Sequence, residues 1–200
     1  MTGGYDPDLL RSRLRGIGLG RVFRVIHRDH RTTPVGAVPA PSRFSDPRGR
    51  YAVLYASEAV RCGFWETLGR NRLARQRRRE LPRTEAESRL VVAIRSSGPL
   101  DLIDLRGDGP VRIGAPSAVT HDGDHAAGRA LSAAVHAGVP EADGFLFLSR
   151  FTGDACVAVF ERAFGKLTAF EIAELVRHAE FLDALEDYGI ALTEPPGPEG

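Results

Sequence analysis

The sequence predicts one α+β domain with mixed, largely antiparallel sheets flanked by helices. A chain of 200 residues has the usual length of a single domain. Its hydrophobic content of 42% and its formal net charge of +1 are typical of a folded protein and exclude an intrinsically disordered one. Strand-like and helix-like segments follow one another irregularly, which favours α+β over a regular alternation of strand and helix.

The N-terminal segment, residues 1–19, is predicted to be a helical extension. Asp6 can cap a short helix that has Pro7 at its first position, and the glycines at residues 16–20 would end it. Residues 21–27 are rich in β-branched and aromatic side chains and predict a strand.

A long loop, a buried strand and a helix are predicted next. Residues 28–50 contain four prolines, and a loop of this length is uncommon in a compact domain unless it serves a function. Residues 51–56 predict a short buried strand. Ser57 is expected to cap a helix that runs to about residue 79.

The second half of the chain shows ordinary turn and capping signals. Its predicted elements are strands at 89–95 and 100–105, a loop at 106–124, a helix at 125–137 and strands at 144–149 and 155–162. Thr168 and Glu171 have the spacing of a capping box, which predicts a last helix to about Tyr188. A final strand is expected at 190–192.

The composition excludes several classes of protein. The chain has 27 Lys and Arg against 26 Asp and Glu, so its surface is not that of a wholly basic nucleic-acid binder. No apolar stretch approaches the roughly 20 residues of a membrane span, and the N-terminus has no signal-peptide core. Cys62 and Cys156 fit no metal or redox spacing and cannot form a disulfide scaffold. We therefore expect a cytoplasmic protein in a reducing compartment.

Glu66 is the most informative residue of the helix that follows Tyr55. Most faces of this helix carry small or apolar residues of its own sequence, which predicts that the helix is buried. An unpaired charge there would cost several kcal/mol. Two explanations stay open: a salt bridge to one of the many arginines, or a catalytic or substrate-binding acid.

Three further residues are candidates for the same site. Arg24 interrupts an apolar strand, and Arg43 lies in the long loop. The planar guanidinium of either could bind phosphate or carboxylate, although each is also compatible with a structural role. Ser149 ends a strand but lacks the Gly-x-Ser-x-Gly elbow, so we do not expect a serine-hydrolase nucleophile.

Two other patterns have simpler explanations. His121 and His125 flank two aspartates, but a helix N-terminus explains the segment as well as a metal site does, and we expect no metal. Residues 70–83 contain seven arginines. No aromatic residues interleave with them, so we expect a solvated helix end, with direct nucleic-acid binding as the alternative.

The order of these features resembles the RES-domain family, which is named for its Arg, Glu and Ser. The motifs that carry the resemblance are Phe23-Arg24-Val25, Ser42-Arg43-Phe44-Ser45-Asp46-Pro47, Val53-Leu54-Tyr55-Ala56-Ser57, Phe64-Trp65-Glu66-Thr67, Asp143-Gly144-Phe145-Leu146-Phe147-Leu148-Ser149-Arg150 and Cys156-Val157-Ala158-Val159-Phe160. The chain departs from the family pattern around Arg43. Many members have two glycines before this arginine and an asparagine after the aromatic residue, where this chain has Pro41-Ser42 and Ser45.

The resemblance implies a fold similar to ADP-ribosyltransferases and a toxin of a type II toxin–antitoxin pair that consumes NAD. Residues 20–165 would form the NAD-binding domain, 166–193 a C-terminal helix and strand packed on it, and 194–200 a loose tail. The implied partner is an antitoxin with an Xre-like helix-turn-helix, and a homodimer stays open. NAD would be the substrate, with no separate cofactor.

The candidate residues are compatible with that chemistry. Arg24 and Arg43 could clamp the pyrophosphate, and Tyr55 could stack on the nicotinamide ring. Glu66 would stabilise the sugar cation, and Ser149 would orient the nicotinamide amide or the ribose. Because nicotinamide leaves as a neutral group, no second carboxylic acid is required, unlike in ordinary glycosidases.

The sequence leaves three functions open. The first is cleavage of NAD, with water or inorganic phosphate as the acceptor. The second is ADP-ribosylation of a protein, which the same residues could perform. The third is a non-enzymatic module that binds nucleic acid through the arginine run, which would show a steep salt dependence.

Overall fold

The computed structural model describes residues 4–70, 73–74, 76–121 and 125–194. The strands within these residues, numbered β1 to β10, are Leu14–Gly18, Val22–His27, Val53–Ser57, Arg79–Pro82, Arg89–Ser96, Pro99–Asp104, Gly144–Leu148, Ala155–Phe160, Leu167–Glu174 and Ile190–Thr193. The α-helices, numbered α1 to α7, are Pro7–Ser12, Val60–Phe64, Arg83–Glu87, Gly109–Arg112, Ala118–His121, Ala126–Gly138 and Ala179–Asp187.

Eight of the described strands form one sheet in the order β1-β6-β7-β8-β3-β2-β5-β9. Every neighbouring pair is antiparallel except β6 and β7, which run parallel. Strands β4 and β10 form a separate parallel pair. The predicted α+β class with a mixed, largely antiparallel sheet is therefore confirmed.

The central strands are buried on both faces, which explains their nearly continuous apolar sequences. In β7, Phe145 and Phe147 point into a core that contains α6, while Leu146 belongs to the core on the opposite face. In β2, Phe23 belongs to a third core with α2 and α7, and Ile26 lies on the other face. This double burial is the reason that residues 21–27 show no clean alternation of apolar and polar side chains.

The N-terminal helix is shorter than predicted. Asp6 caps it as expected, because its side chain accepts a 2.9 Å hydrogen bond from the amide of Asp8. The helix ends at Ser12, however, and Leu14–Gly18 forms β1 at the edge of the large sheet, paired with β6. Pairing with β6 supplies backbone hydrogen bonds that a helix of six residues could not match.

Two other helix predictions need correction. The helix expected from Ser57 begins only at Val60, and residues 79–82, at its expected end, form β4 against β10. Thr168 and Glu171 lie in strand β9, which pairs with β5 along its length, so long-range pairing overrides the local capping signal. The last helix, α7, therefore starts at residue 179.

The β7–β8 hairpin, α6 and the final strand agree with the prediction. The segment 106–124, expected to be a loop, contains the short helices α4 and α5. Of the predicted tail, only Glu194 lies within the described residues. No helix in the described part of the chain is long and apolar enough to cross a membrane.

Candidate active site

A cleft of about 260 Å³ opens between β2, β3, the helical segment from Gly63 to Arg70 and the loop around Arg43. Its lining includes four of the five candidate residues: Arg24, Arg43, Tyr55 and Glu66. Residues that are 11 to 42 positions apart along the chain thus share one cavity. Ser149, the fifth candidate, is 4% exposed and lies behind Glu66 without lining the cleft.

Glu66 is carried by a widened helical turn. Helix α2 continues into a π-helical turn over Trp65–Gly69, a feature that is frequent at functional sites. The Thr67 hydroxyl donates to the Gly63 carbonyl at 2.7 Å. Gly69 ends the turn, and a side-chain carbon there would collide with the Trp65 ring. The turn therefore combines an accessible acid with close packing of Trp65 against the backbone.

The carboxylate of Glu66 has one clear partner. The Ser149 hydroxyl donates to Glu66 Oε1 at 2.8 Å, and the Ser149 oxygen accepts from the amide of Phe151 at 3.2 Å. Among the described residues, Glu66 forms no ion pair, so the salt bridge considered from the sequence has no support in them. The chemistry left to this acid is to accept hydrogen bonds and to stabilise positive charge in the cleft.

Arg24 lies in β2 with its guanidinium turned toward the long loop. Its Nη1 donates to the carbonyls of Pro34, at 3.0 Å, and Gly36, at 2.7 Å. Burial lowers the pKa of Arg24 to about 10, so the side chain still carries its positive charge near neutral pH. Arg24 therefore fixes the loop and lines the cleft at the same time.

The loop around Arg43 is held by Tyr55. The Tyr55 hydroxyl accepts from the Phe44 amide at 2.8 Å and shares a 3.0 Å hydrogen bond with the Ser42 hydroxyl. Burial raises the pKa of Tyr55 to about 12, so the phenol stays neutral. Tyr55 thus lines the cleft and holds the loop through its hydroxyl.

The two serines that depart from the family pattern close the same loop. The Ser45 hydroxyl donates to the Ser42 carbonyl and accepts from the Ser42 amide, both at 3.0 Å. Phe44, between them, stacks on Phe145 with 4.5 Å between ring centroids. Arg43 Nη1 donates to the Val119 carbonyl at 3.4 Å. Hydrogen bonds of the serine side chains thus fix the loop at the positions where other members have glycine and asparagine.

Sequence reasoning missed three cationic or polar residues of the cleft: Arg70, His125 and Arg150. Arg70 follows Glu66 by four residues, so the helical period could have indicated it. Arg150 directly follows Ser149. His125 reaches the cleft only through tertiary packing, and no local signal marks it. Burial lowers the pKa of His125, and nearby positive charges, Arg43 and Arg70 among them, lower it further.

The other patterns singled out in the sequence do not assemble a second site in the described residues. No group of three or more metal-ligating side chains is found there, and Asp122 and Asp124 lie outside them. The Sγ atoms of Cys62 and Cys156 are 3.3 Å apart, both buried and free. In the arginine run, residues 71–72 and 75 lie outside the described part, and Arg79 packs over Trp65.

Comparisons with known proteins identify the family and the fold of this chain. A family model described as the RES domain matches residues 21–182. The chain is 32% identical over 95 residues to "Probable toxin y4kH" of Sinorhizobium fredii (strain NBRC 101917 / NGR234), covering 47% of this chain and 75% of that protein. Its fold is similar to a chain of the crystal structure of the M.tuberculosis MbcT-MbcA toxin-antitoxin complex, with a TM-score of 0.62 and 12% identity over 84% of this chain and 90% of that chain. The match to the family model spans most of the sequence and contains Arg24, Glu66 and Ser149, and the chain therefore belongs to the RES domain family.

Proposed function

We propose that this chain is a toxin that cleaves the nicotinamide N-glycosidic bond of NAD and so depletes NAD. The observation that carries the proposal is the set of charged side chains in the cleft. Among the described lining residues, Glu66 is the one acid, and the other charged side chains are arginines. A substrate that has two phosphates and a bond whose cleavage creates a cation matches this distribution of charge.

Glu66 would act on the cation that forms as the bond breaks. The ribose develops oxocarbenium character while nicotinamide, already cationic on nitrogen, leaves as a neutral molecule, so no protonating acid is needed. A preorganised carboxylate in a cleft with little water could supply on the order of 3 kcal/mol, which corresponds to about a hundredfold in rate. Glu66 Oε2 would be available for a ribose hydroxyl, since Ser149 donates to Oε1.

The remaining candidate residues would bind the substrate or position Glu66. Arg43 and Arg24 would face the pyrophosphate, and the Tyr55 ring would offer a flat apolar surface to the nicotinamide. For Ser149, its burial and its hydrogen bond to Glu66 favour a positioning role over direct contact with the nicotinamide amide or the ribose.

A toxin of this kind needs a partner that restrains it. The relatives are named as a probable toxin and as a toxin–antitoxin complex. We extend that arrangement to this chain and propose a cognate antitoxin with an Xre-like helix-turn-helix.

The test is to incubate the purified protein with NAD and to identify the products. Release of nicotinamide with ADP-ribose indicates a hydrolase, and formation of a phosphorylated ADP-ribose when phosphate is added indicates a phosphorylase. Transfer of label to an added protein indicates an ADP-ribosyltransferase instead. If no nicotinamide is released under any of these conditions, the proposed function is wrong.

A further inference from the structure

Two arginines of the cleft have no role in the contacts described so far. Arg70 follows Glu66 on the same helical segment, and its Nε is buried without a hydrogen-bond partner among the described residues. Arg150 follows Ser149 at the end of β7, where its guanidinium lies 4.7 Å from the Phe151 ring centroid and the residue is exposed. Both side chains line the cleft.

The charges of these two arginines are not neutralised by described carboxylates. Neither Arg70 nor Arg150 forms an ion pair with a residue in the part of the chain that the structure describes. The acid that they share the cleft with, Glu66, already accepts from Ser149. A partly buried guanidinium without a partner carries a desolvation cost, which binding of an anion would offset.

Arg24 is a weaker candidate for binding the same anion. Its Nη1 donates to two backbone carbonyls, which leaves fewer of its N–H groups for a ligand. Arg70 and Arg150 donate no comparable hydrogen bonds to the described residues. The N–H groups of their guanidinium ends are therefore available to a ligand.

The size of the cleft indicates where a phosphate would lie. Sites that enclose a drug-sized ligand usually measure about 300–1,000 Å³. A cleft of about 260 Å³ can enclose one end of a dinucleotide, and the rest of the molecule must then pass the rim. Arg150 is exposed and Arg70 is half-buried, and both line the cleft, so a phosphate that binds between the cleft and solvent could contact them.

We propose that Arg70 and Arg150 form an arginine wall that binds a phosphate group in this cleft. This inference rests on the proposed function and deepens it. The phosphate is either part of the dinucleotide or a free phosphate ion that serves as acceptor. Both have the same chemistry, a tetrahedral oxyanion that suits the planar guanidinium fork.

A binding experiment tests the arginine wall without any turnover. Inorganic pyrophosphate is titrated into the full chain at low salt by calorimetry, with Arg70→Gln and Arg150→Gln as variants. Arg112→Gln is the matched control, since Arg112 is exposed on α4 and pairs with Asp108. We expect each wall variant to weaken binding about tenfold or more and the control to bind like the wild type.

Kinetics then distinguish the two sources of phosphate. If the wall binds the dinucleotide, each wall variant raises the KM for NAD measured at a saturating phosphate concentration. If it binds a free phosphate acceptor, that KM is unchanged and only the phosphate concentration for half-maximal rate rises.

The arginine wall and the proposed function fail in different ways. Wild-type protein that does not bind pyrophosphate, or wall variants that bind it as well as Arg112→Gln does, overturn the wall even if NAD is consumed. Wild-type protein that binds pyrophosphate through the wall but leaves NAD intact overturns the proposed function and retains the wall.

Discussion

Replacing Ser149 with alanine removes the hydroxyl that donates a 2.8 Å hydrogen bond to Glu66 Oε1. Hydrogen bonds to charged groups contribute about 1.5–3 kcal/mol. If that energy holds the carboxylate in its productive position, its loss lowers kcat by about 10- to 150-fold. Because Ser149 does not line the cleft, the KM for NAD should change by much less than kcat.

The assay is steady-state release of nicotinamide by Ser149→Ala, with Ser149→Thr as the conservative variant that keeps the hydroxyl. Ser97→Ala is the control, because the Ser97 hydroxyl lies on an exposed turn, where it donates to the Lys166 carbonyl at 3.3 Å. Thermal unfolding of each variant separates an effect on activity from an effect on stability. Threonine should restore most of the lost kcat.

Two outcomes contradict the positioning role. The first is a Ser149→Ala enzyme with wild-type kcat. The second is a variant whose KM rises as much as its kcat falls, since that pattern places the hydroxyl in direct contact with the substrate.

Three further predictions concern stability and the loop around Arg43. Hydrogen bonds from Arg50 lower the pKa of Asp46 to about 2, so the stability that Asp46 contributes is present above about pH 4 and is lost as the pH falls toward 2. Acid unfolding of Asp46→Asn should therefore depend less on pH than that of the wild type, and an identical pH profile would contradict this. Tyr55→Phe leaves the Phe44 amide without its acceptor, which should lower the free energy of unfolding by about 1–3 kcal/mol in chemical denaturation and raise the KM for NAD. An unchanged KM would show that the hydroxyl does not hold the loop in its substrate-binding position. Gly128→Ala introduces a carbon that collides with the Arg43 carbonyl, so we expect the free energy of unfolding to fall by about 1–3 kcal/mol in thermal unfolding. A variant as stable as the wild type would show that the loop can move away from this position at little cost.

Local sequence signals were sufficient where the structure is built from neighbours in the chain. The β7–β8 hairpin follows from two apolar runs around the turn at Gly153, and α1 follows from Asp6 and Pro7. Glu66 was recognisable because a charge among small and apolar residues requires a partner or a function, and the structure places it in a cleft.

Signals failed where distant segments decide the outcome. The residues at Thr168 and Glu171 match the capping pattern of a helix. In the structure, however, this segment forms β9, because it pairs with the edge of β5. The hydrogen bond between Ser149 and Glu66 joins residues 83 positions apart, and no spacing rule anticipates it. The sequence did not predict that Arg70 lines the cleft, because Arg70 belongs to a run of arginines that was interpreted as a solvated helix end.

The most direct measurement for the central claim is the rate of nicotinamide release by wild-type protein and by Glu66→Gln. Glutamine keeps the size of the side chain and removes its charge, and far-ultraviolet circular dichroism confirms that both proteins are folded. We expect the wild type to release nicotinamide and the variant to be at least about a hundredfold slower. Equal rates in two equally folded proteins would contradict the assignment of Glu66 as the catalytic carboxylate of this cleft.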